Sequence, residues 1–264
     1  MDVDAYLKRI KYEGGRNPSL PVLKSLHRAH MLNVPFENLD IPLGRAIVLE
    51  TGALYDKIVR RRRGGFCYEL NGLFAELLKQ IGFAVTYLSA RDVRPDGTLG
   101  PEFDHLALRV NCPDSPSRSW LADVGWGDSF EEPLPLDDPG EQIEGLRAYR
   151  LEPRDEFFIL WQRNYAGSWE HQYRFSLEPR RFPLDFEAMC RYHQTSPESI
   201  FTQKRLCSLA TPEGRISLEG TRLLTTRAGI REEIPIESED AYQRLLNANF
   251  GIKLDPSWPV KPDQ

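Results

Sequence analysis

The apolar positions of the chain change period twice. In VDAYLKRI, Val3, Tyr6, Leu7 and Ile10 share one helical face, and in SLPVLKSLHRAHMLNV the same spacing lines up Leu20, Leu23, Leu26 and His27. A third helical stripe begins at Cys67 and runs through Leu70, Leu73, Phe74, Leu77, Leu78 and Ile81, where Gly82 supplies a stop. From about residue 84 to 187 the period is two: AVTYLSARDV, DHLALRV, SWLADV, YRLEPRDEFFILWQR and HQYRFSLE are short β-rich segments with Pro, Gly and Asp between them. Strands spaced this closely predict an antiparallel barrel or sandwich. The remainder is mixed, with a short helix near 185–192, a hairpin about PEGR in RLCSLATPEGRISLEGTRLLTT, and a last helix from Ser238 to Asn249. The pattern has no repeat and no low-complexity linker. It predicts an α+β chain packed as one unit.

Composition narrows the class. The 264 residues are 41% hydrophobic and 28% charged, as in an ordinary soluble globular protein. No apolar run approaches the roughly 20 residues that cross a bilayer, and the polar start MDVDAYLKRIKYEGG is unlike a secretory signal. A net charge of −5 argues against a general nucleic-acid binder. Cysteines 67, 112, 190 and 207 show neither CxxC nor metal-ligand spacing, so we expect a cytoplasmic protein with reduced thiols and no metal. GWG at 125–127 is not a dinucleotide fingerprint, and no phosphate-binding GxxxxGK[ST] loop occurs.

The chemistry concentrates in three places. Cys67 lies on the inward stripe of its helix in the first turn, where the macrodipole and free N–H groups favour a thiolate and could stabilise an oxyanion. Gly64 and Gly65 before it permit a close approach of the chain. The bland alternative is a small buried filler. A thiol nucleophile wants a base, and the base wants an orienting acceptor. His27 and His30 have an easy helix-face role, and nothing marks His171 or His193. His105 opens DHLALRV, with Leu106, Leu108 and Val110 pointing one way and His105, Ala107 and Arg109 the other. Asp123 sits among Trp120, Leu121, Ala122 and Val124, where a carboxylate needs a partner. That partner is either His105 on the preceding strand or a backbone turn at Gly125. Cys67, His105 and Asp123 together make a Cys-His-Asp set, arranged as in cysteine proteases.

Four stretches carry a resemblance: VPFENLDI (34–41), RRGGFCYELNGLF (62–74), DHLALRV (104–110) and LADVGWG (121–127), joined by YHQTSPESIF (192–201). In this order they resemble the arylamine N-acetyltransferases. The resemblance implies an N-terminal helical bundle (1–85), a central antiparallel β-barrel (86–190) and a C-terminal α/β lid (191–264). It implies catalysis by Cys67, His105 and Asp123, with acetyl-CoA as donor, an acetyl thioester on Cys67, and an aromatic amine or hydrazine as acceptor, a chemistry suited to xenobiotic acetylation. Phe36, Trp126 and Val93 would line the acceptor slot, Tyr192 and Thr195 would lie near the CoA, and Arg63 would brace the site. Arg60, Arg61 and Arg62 read as a solvated end. The chain departs from the family's pattern at Glu102, Asp104 and Glu198, acids that would repel a pyrophosphate. Rival expectations are an amide synthase closing a macrolactam on the same triad, a thiol hydrolase or protease passing the acyl group to water, and a non-catalytic barrel that binds aromatics. The physiological amine, the acyl preference and the oligomeric state are not written in these motifs.

Overall fold

The computed structural model describes residues 1–94 and 96–254. The helical region comprises α1 (Val3–Arg9), α2 (Leu20–Asn33), the short strand β1 (Phe36–Glu37), α3 (Thr51–Tyr55) and α4 (Cys67–Ile81). Asp2 caps α1 by accepting the N–H of Ala5, and Gly82 closes α4 at φ 112°, a conformation that glycine adopts without strain. A widened helical turn, Asp56–Arg60, follows α3; the apolar periodicity predicted neither. Arg60 at its end and Arg61 and Arg62 beyond it are exposed.

An eight-stranded antiparallel sheet follows: β2 (Ala84–Asp92), β3 (His105–Cys112), β4 (Ser115–Ala122), β5 (Leu134–Pro135), β6 (Gln142–Glu144), β7 (Arg147–Arg154), β8 (Phe157–Arg163) and β9 (Trp169–Ser176). Its order is β5-β4-β3-β2-β9-β8-β7-β6, and it curls until β5 approaches β7, a nearly closed barrel. Two sequence expectations need correction. YRLEPRDEFFILWQR is not one strand but a hairpin, β7 to β8, turned at Asp155 with φ 50°. Asp123 lies just past the end of β4 rather than inside it, because its own N–H and carboxylate are taken by side chains and a turn instead of the ladder.

The remaining elements are α5 (Glu187–Thr195), α6 (Ile200–Gln203), β10 (Leu206–Thr211), β11 (Gly214–Glu219), β12 (Arg222–Arg227), β13 (Ile230–Pro235) and α7 (Glu239–Phe250). They form a second antiparallel sheet, β1-β10-β11-β12-β13, in which Phe36 pairs with Ser208. The helical segment thereby supplies an edge strand to the last sheet.

Strand β3 is buried on both sides. Leu106, Leu108 and Val110 join a core with α1, α2 and α4, whereas Ala107 faces the barrel interior with Leu121, Tyr149, Tyr173 and Phe175. The α4 helix lies against the outer face of β3, so the start of α4 and the start of β3 meet. A third core packs α7 on the second sheet through Leu218, Tyr242 and Leu246. Among the described residues no helix is long and apolar enough to cross a membrane.

Candidate active site

The approach to Cys67 is built on buried charge. Glu37 accepts from Arg63 through Nε at 2.9 Å and Nη2 at 3.0 Å, and Arg63 also reaches Asp40 at 3.0 Å. Lys57 lies 2.8 Å from both Asp40 and Glu69, and Glu69 accepts the N–H of Phe66 at 3.1 Å, bonding the residue that caps α4. Burial pushes the Glu69 carboxyl up to about 7, against the pull of Lys57. Arg63 is thus a brace beneath the loop. A Cβ on Gly64 would stand 1.9 Å from the carbonyl oxygen of Pro35, so only glycine lets these two segments pass.

Cys67 opens α4 and is buried. The backbone of Leu106, the residue after His105, hydrogen-bonds the thiol, and a Cβ on Gly125 would stand 2.8 Å from the Cys67 Cα. The ends of β3 and β4 therefore converge on the helix start. The helix position that favours a thiolate is opposed by burial. Burial pushes the thiol well above its ordinary pKa; the Leu106 bond pulls it down, and the charges of Asp92 and Asp123 push it further up. A reactive sulfur here requires that the proton pass to a neighbouring base.

His105 and Asp123 are in contact: Nε2 lies 2.7 Å from Oδ2, with both side chains buried. The alternative partner is present as well, since Gly125 donates its N–H to Oδ1 at 2.9 Å. Tyr173 donates its hydroxyl to Oδ2 at 2.8 Å, and Asn71 donates to Oδ1 at 2.8 Å. Four donors thus surround a fully buried carboxylate, which, against its burial, sits below its ordinary pKa beside His105. For His105 burial is the largest influence and lowers the pKa; Asp123, with Asp92 and Asp104, more than reverses it, so the ring is a stronger base than an ordinary histidine. Because Nε2 is committed to Asp123, Nδ1 is the nitrogen left for a proton from elsewhere.

Three supports escaped the sequence. Asn71, one turn beyond Cys67, also donates to the Leu106 carbonyl at 2.6 Å and accepts the Val124 N–H at 2.9 Å. His27 accepts the Asp123 N–H, and Tyr173 comes from β9 across the barrel. Periodicity put His27 on the apolar face of its helix but did not show what it meets there. His193 differs from expectation too: its Nε2 lies 3.0 Å from Asp104, with both side chains about nine-tenths buried.

The proposed binding residues fall in two groups. Trp126 packs edge-on against His105 with ring centroids 4.9 Å apart, and its Nε1 donates to Gln172 at 3.1 Å. Val93, half-buried at the end of β2, donates its N–H to the Gln172 carbonyl. Phe36 bridges to Gly65 two residues before Cys67 and neighbours Phe201. Tyr192 and Thr195 stand on α5. The Tyr192 hydroxyl lies 3.4 Å from Glu198, and the Thr195 hydroxyl bonds the Arg191 carbonyl of its own helix. Of the three acids, Glu198 therefore has Tyr192, Asp104 has His193, and Glu102 lies 3.8 Å from Arg180. Among the described residues no group of three or more His, Cys, Asp or Glu is arranged to hold a metal ion.

A family model described as N-acetyltransferase matches residues 19–258. The arylamine N-acetyltransferase of Mycobacterium tuberculosis is 36% identical over 259 residues, covering 96% of this chain and 90% of its own. The solved structure of the M. tuberculosis enzyme superposes with a TM-score of 0.89 at 36% identity, covering 95% of this chain and 94% of that one. The Mycobacterium marinum enzyme in complex with CoA gives 0.89 at 34% identity, covering 95% and 93%.

Proposed function

The chain belongs to the arylamine N-acetyltransferase family and is an acyltransferase, and from this premise we propose that Cys67 carries the acetyl group of acetyl-CoA to the nitrogen of an arylamine or arylhydrazine. The contact that carries the proposal is His105 Nε2 to Asp123 Oδ2 at 2.7 Å, next to Leu106, whose backbone hydrogen-bonds the Cys67 thiol.

Asp123 fixes the tautomer of His105 and favours its charged form. His105 Nδ1 takes the Cys67 proton as the sulfur attacks the acetyl carbonyl carbon of the donor. The C–S bond to Cys67 forms, the carbonyl oxygen gains charge, and the backbone N–H groups of Cys67 and Tyr68 at the start of α4 would be available to it. Collapse expels the thiolate of the donor, which takes the proton from Nδ1. The amine then attacks the acetyl-Cys67 carbonyl, His105 accepts a proton from nitrogen, and Cys67 departs as thiolate. Thiol and imidazole titrate together as a pair in this scheme. Phe36 and Trp126 would hold the flat acceptor, with Val93 behind Trp126, and their apolar faces would keep water from the thioester.

On the donor side, Thr195 and Arg191 line a cavity of about 360 Å³ between α5 and residues 46–49, where Arg191 offers a guanidinium to a phosphate. Tyr192 is the neighbouring aromatic on the same helix. Initial rates measured while donor and acceptor are varied test the proposal. Parallel double-reciprocal lines, lost altogether in Cys67→Ser, are expected. Intersecting lines would mean direct transfer in a ternary complex and would rule out the covalent route.

A further inference from the structure

Two consecutive residues at the entry to β3 each face a histidine–carboxylate partner. His105 meets Asp123, and Asp104, immediately before it, lies 3.0 Å from Nε2 of His193 on α5. This second pair has no part in the transfer chemistry above, yet both of its side chains are about nine-tenths buried. Nδ1 of His193 lies 3.1 Å from the Ser199 hydroxyl at the cap of α6, and Phe201 packs edge-on against the ring.

The backbone leading into the pair is strained and held. Phe103 takes φ 64°, a left-handed conformation that is uncommon for any residue but glycine. Ser89 accepts its N–H at 2.8 Å. The hydroxyl of Tyr68, the neighbour of Cys67, is shared between the carbonyls of Phe103 at 2.7 Å and Asp104 at 3.0 Å. A Cβ on Gly100 would stand 2.0 Å from Asp104 Oδ2, so the preceding turn is shaped around that carboxylate. Strain of this kind persists only where the surroundings over-determine it. Here they fix the residue that precedes the base.

Negative charge gathers at the same place. Asp92, at the end of β2, has a buried Oδ1 with no hydrogen-bond partner among the described residues. Burial and then Asp104 push its carboxyl up, against the pull of His105 and His193. His105 is acted on by Asp123, Asp92 and Asp104, with the rings of Trp126 and Tyr173 against it, and Cys67 is acted on by Asp92, Asp123 and Cys190. Farther out, Arg180 stands over the Phe103 ring and pairs with Glu102 and Glu178, and Glu198 lies beside Tyr192.

We propose that Asp104, held by His193, is a positioning residue for the transfer: it fixes the entry to β3 for His105 and, with Asp92, sets negative charge against the thiol–imidazole pair. The inference rests on the transfer chemistry above and adds to it a group that acts through His105. Tyr192 and Thr195 share α5 with His193, so the pair ties the donor-side helix to the base. The bland alternative is a strut that only pins α5.

Negative charge stabilises the imidazolium and opposes the thiolate, so it raises both apparent pKa values of the thiol–imidazole pair. Asp104→Asn keeps the shape of the side chain and removes its charge. The rate of Cys67 alkylation by iodoacetamide, followed by peptide mass spectrometry across the pH range, reads both values without any donor. Both should fall by about half a unit or more. The pH-independent plateau of acetyl loading should fall about tenfold or more, because the base is less well placed. Parent-like apparent pKa values in the folded variant would overturn the proposal, and so would a parent-like plateau; either leaves the pair a strut. If Asp104→Asn does not fold, Asp92→Asn decides: the upper value must fall, and an unmoved one overturns the proposal. Acetyl loading of wild type from acetyl-CoA is measured alongside. Its failure removes the transfer chemistry, whereas the alkylation profile judges Asp104 whatever the donor is.

Discussion

His27 accepts the backbone N–H of Asp123 at its Nε2, 3.0 Å away, while its Nδ1 lies 2.8 Å from the carbonyl oxygen of Glu131. These partners define a neutral ring with its proton on Nδ1, and burial agrees, lowering the pKa to about 4 despite the neighbouring carbonyl and carboxylates. Unfolding would let this histidine take up a proton between pH 6.5 and 4. In that window the unfolded state binds more protons, so stability falls as pH falls, by up to about 3 kcal/mol from this group. Urea titrations at pH 7 and pH 4.5 should show that loss. His27→Gln, which has no proton to gain, should reduce the dependence. An unchanged pH dependence in the variant would contradict a neutral, buried His27.

Asn71 joins three segments: it donates to Asp123 and to the Leu106 carbonyl and accepts from Val124. Asn71→Ala leaves a buried carbonyl and N–H without partners, a cost of about 1–3 kcal/mol. Because the same bonds orient Asp123, acetyl transfer should fall by about tenfold or more in kcat while the acceptor KM changes little. A stability loss with kcat intact would make Asn71 a strut and nothing else.

Lys57 lies between Asp40 and Glu69, in contact with both. Lys57→Met removes one of the cations, with Arg63 and Arg45, that face three buried acids, and breaking such a cluster costs about 3–5 kcal/mol. Denaturant midpoints of parent and variant read this directly. A cost under 1 kcal/mol would mean the cluster is solvated in solution.

Gly125→Ala would bring a methyl group to 2.8 Å from the Cys67 Cα and 2.7 Å from the Asn71 Nδ2. Either the helix start or the Asp123 loop must shift. We expect kcat/KM to drop by about 100-fold, since misplacing reacting groups by 1 Å costs about that much. Parent-like kcat/KM would show that the helix start is not fixed by this contact.

The three helical stripes, the alternation of DHLALRV and the hairpin at PEGR could be read from the chain because each reflects a local period or turn. The stripes correspond to α1, α2 and α4. The contact between His105 and Asp123 was legible because a carboxylate among apolar neighbours demands a partner close by. What could not be read depends on distant elements. Asn71, His27 and Tyr173 reach Asp123 over 52, 96 and 50 positions. The end of β4 before Asp123 was hidden for the same reason: SWLADV alternates as a strand, and only the tertiary partners of Asp123 stop it. The state of the Cys67 thiol follows from burial, which a helix position does not report.

The most direct measurement is intact-protein mass spectrometry after mixing the enzyme with acetyl-CoA and no amine. The expected result is one acetyl group, mapped by peptide digestion to Cys67, absent in Cys67→Ser and discharged on adding an arylamine. An unmodified protein under the same conditions, or an acetyl group on another residue, would contradict Cys67 as the carrier.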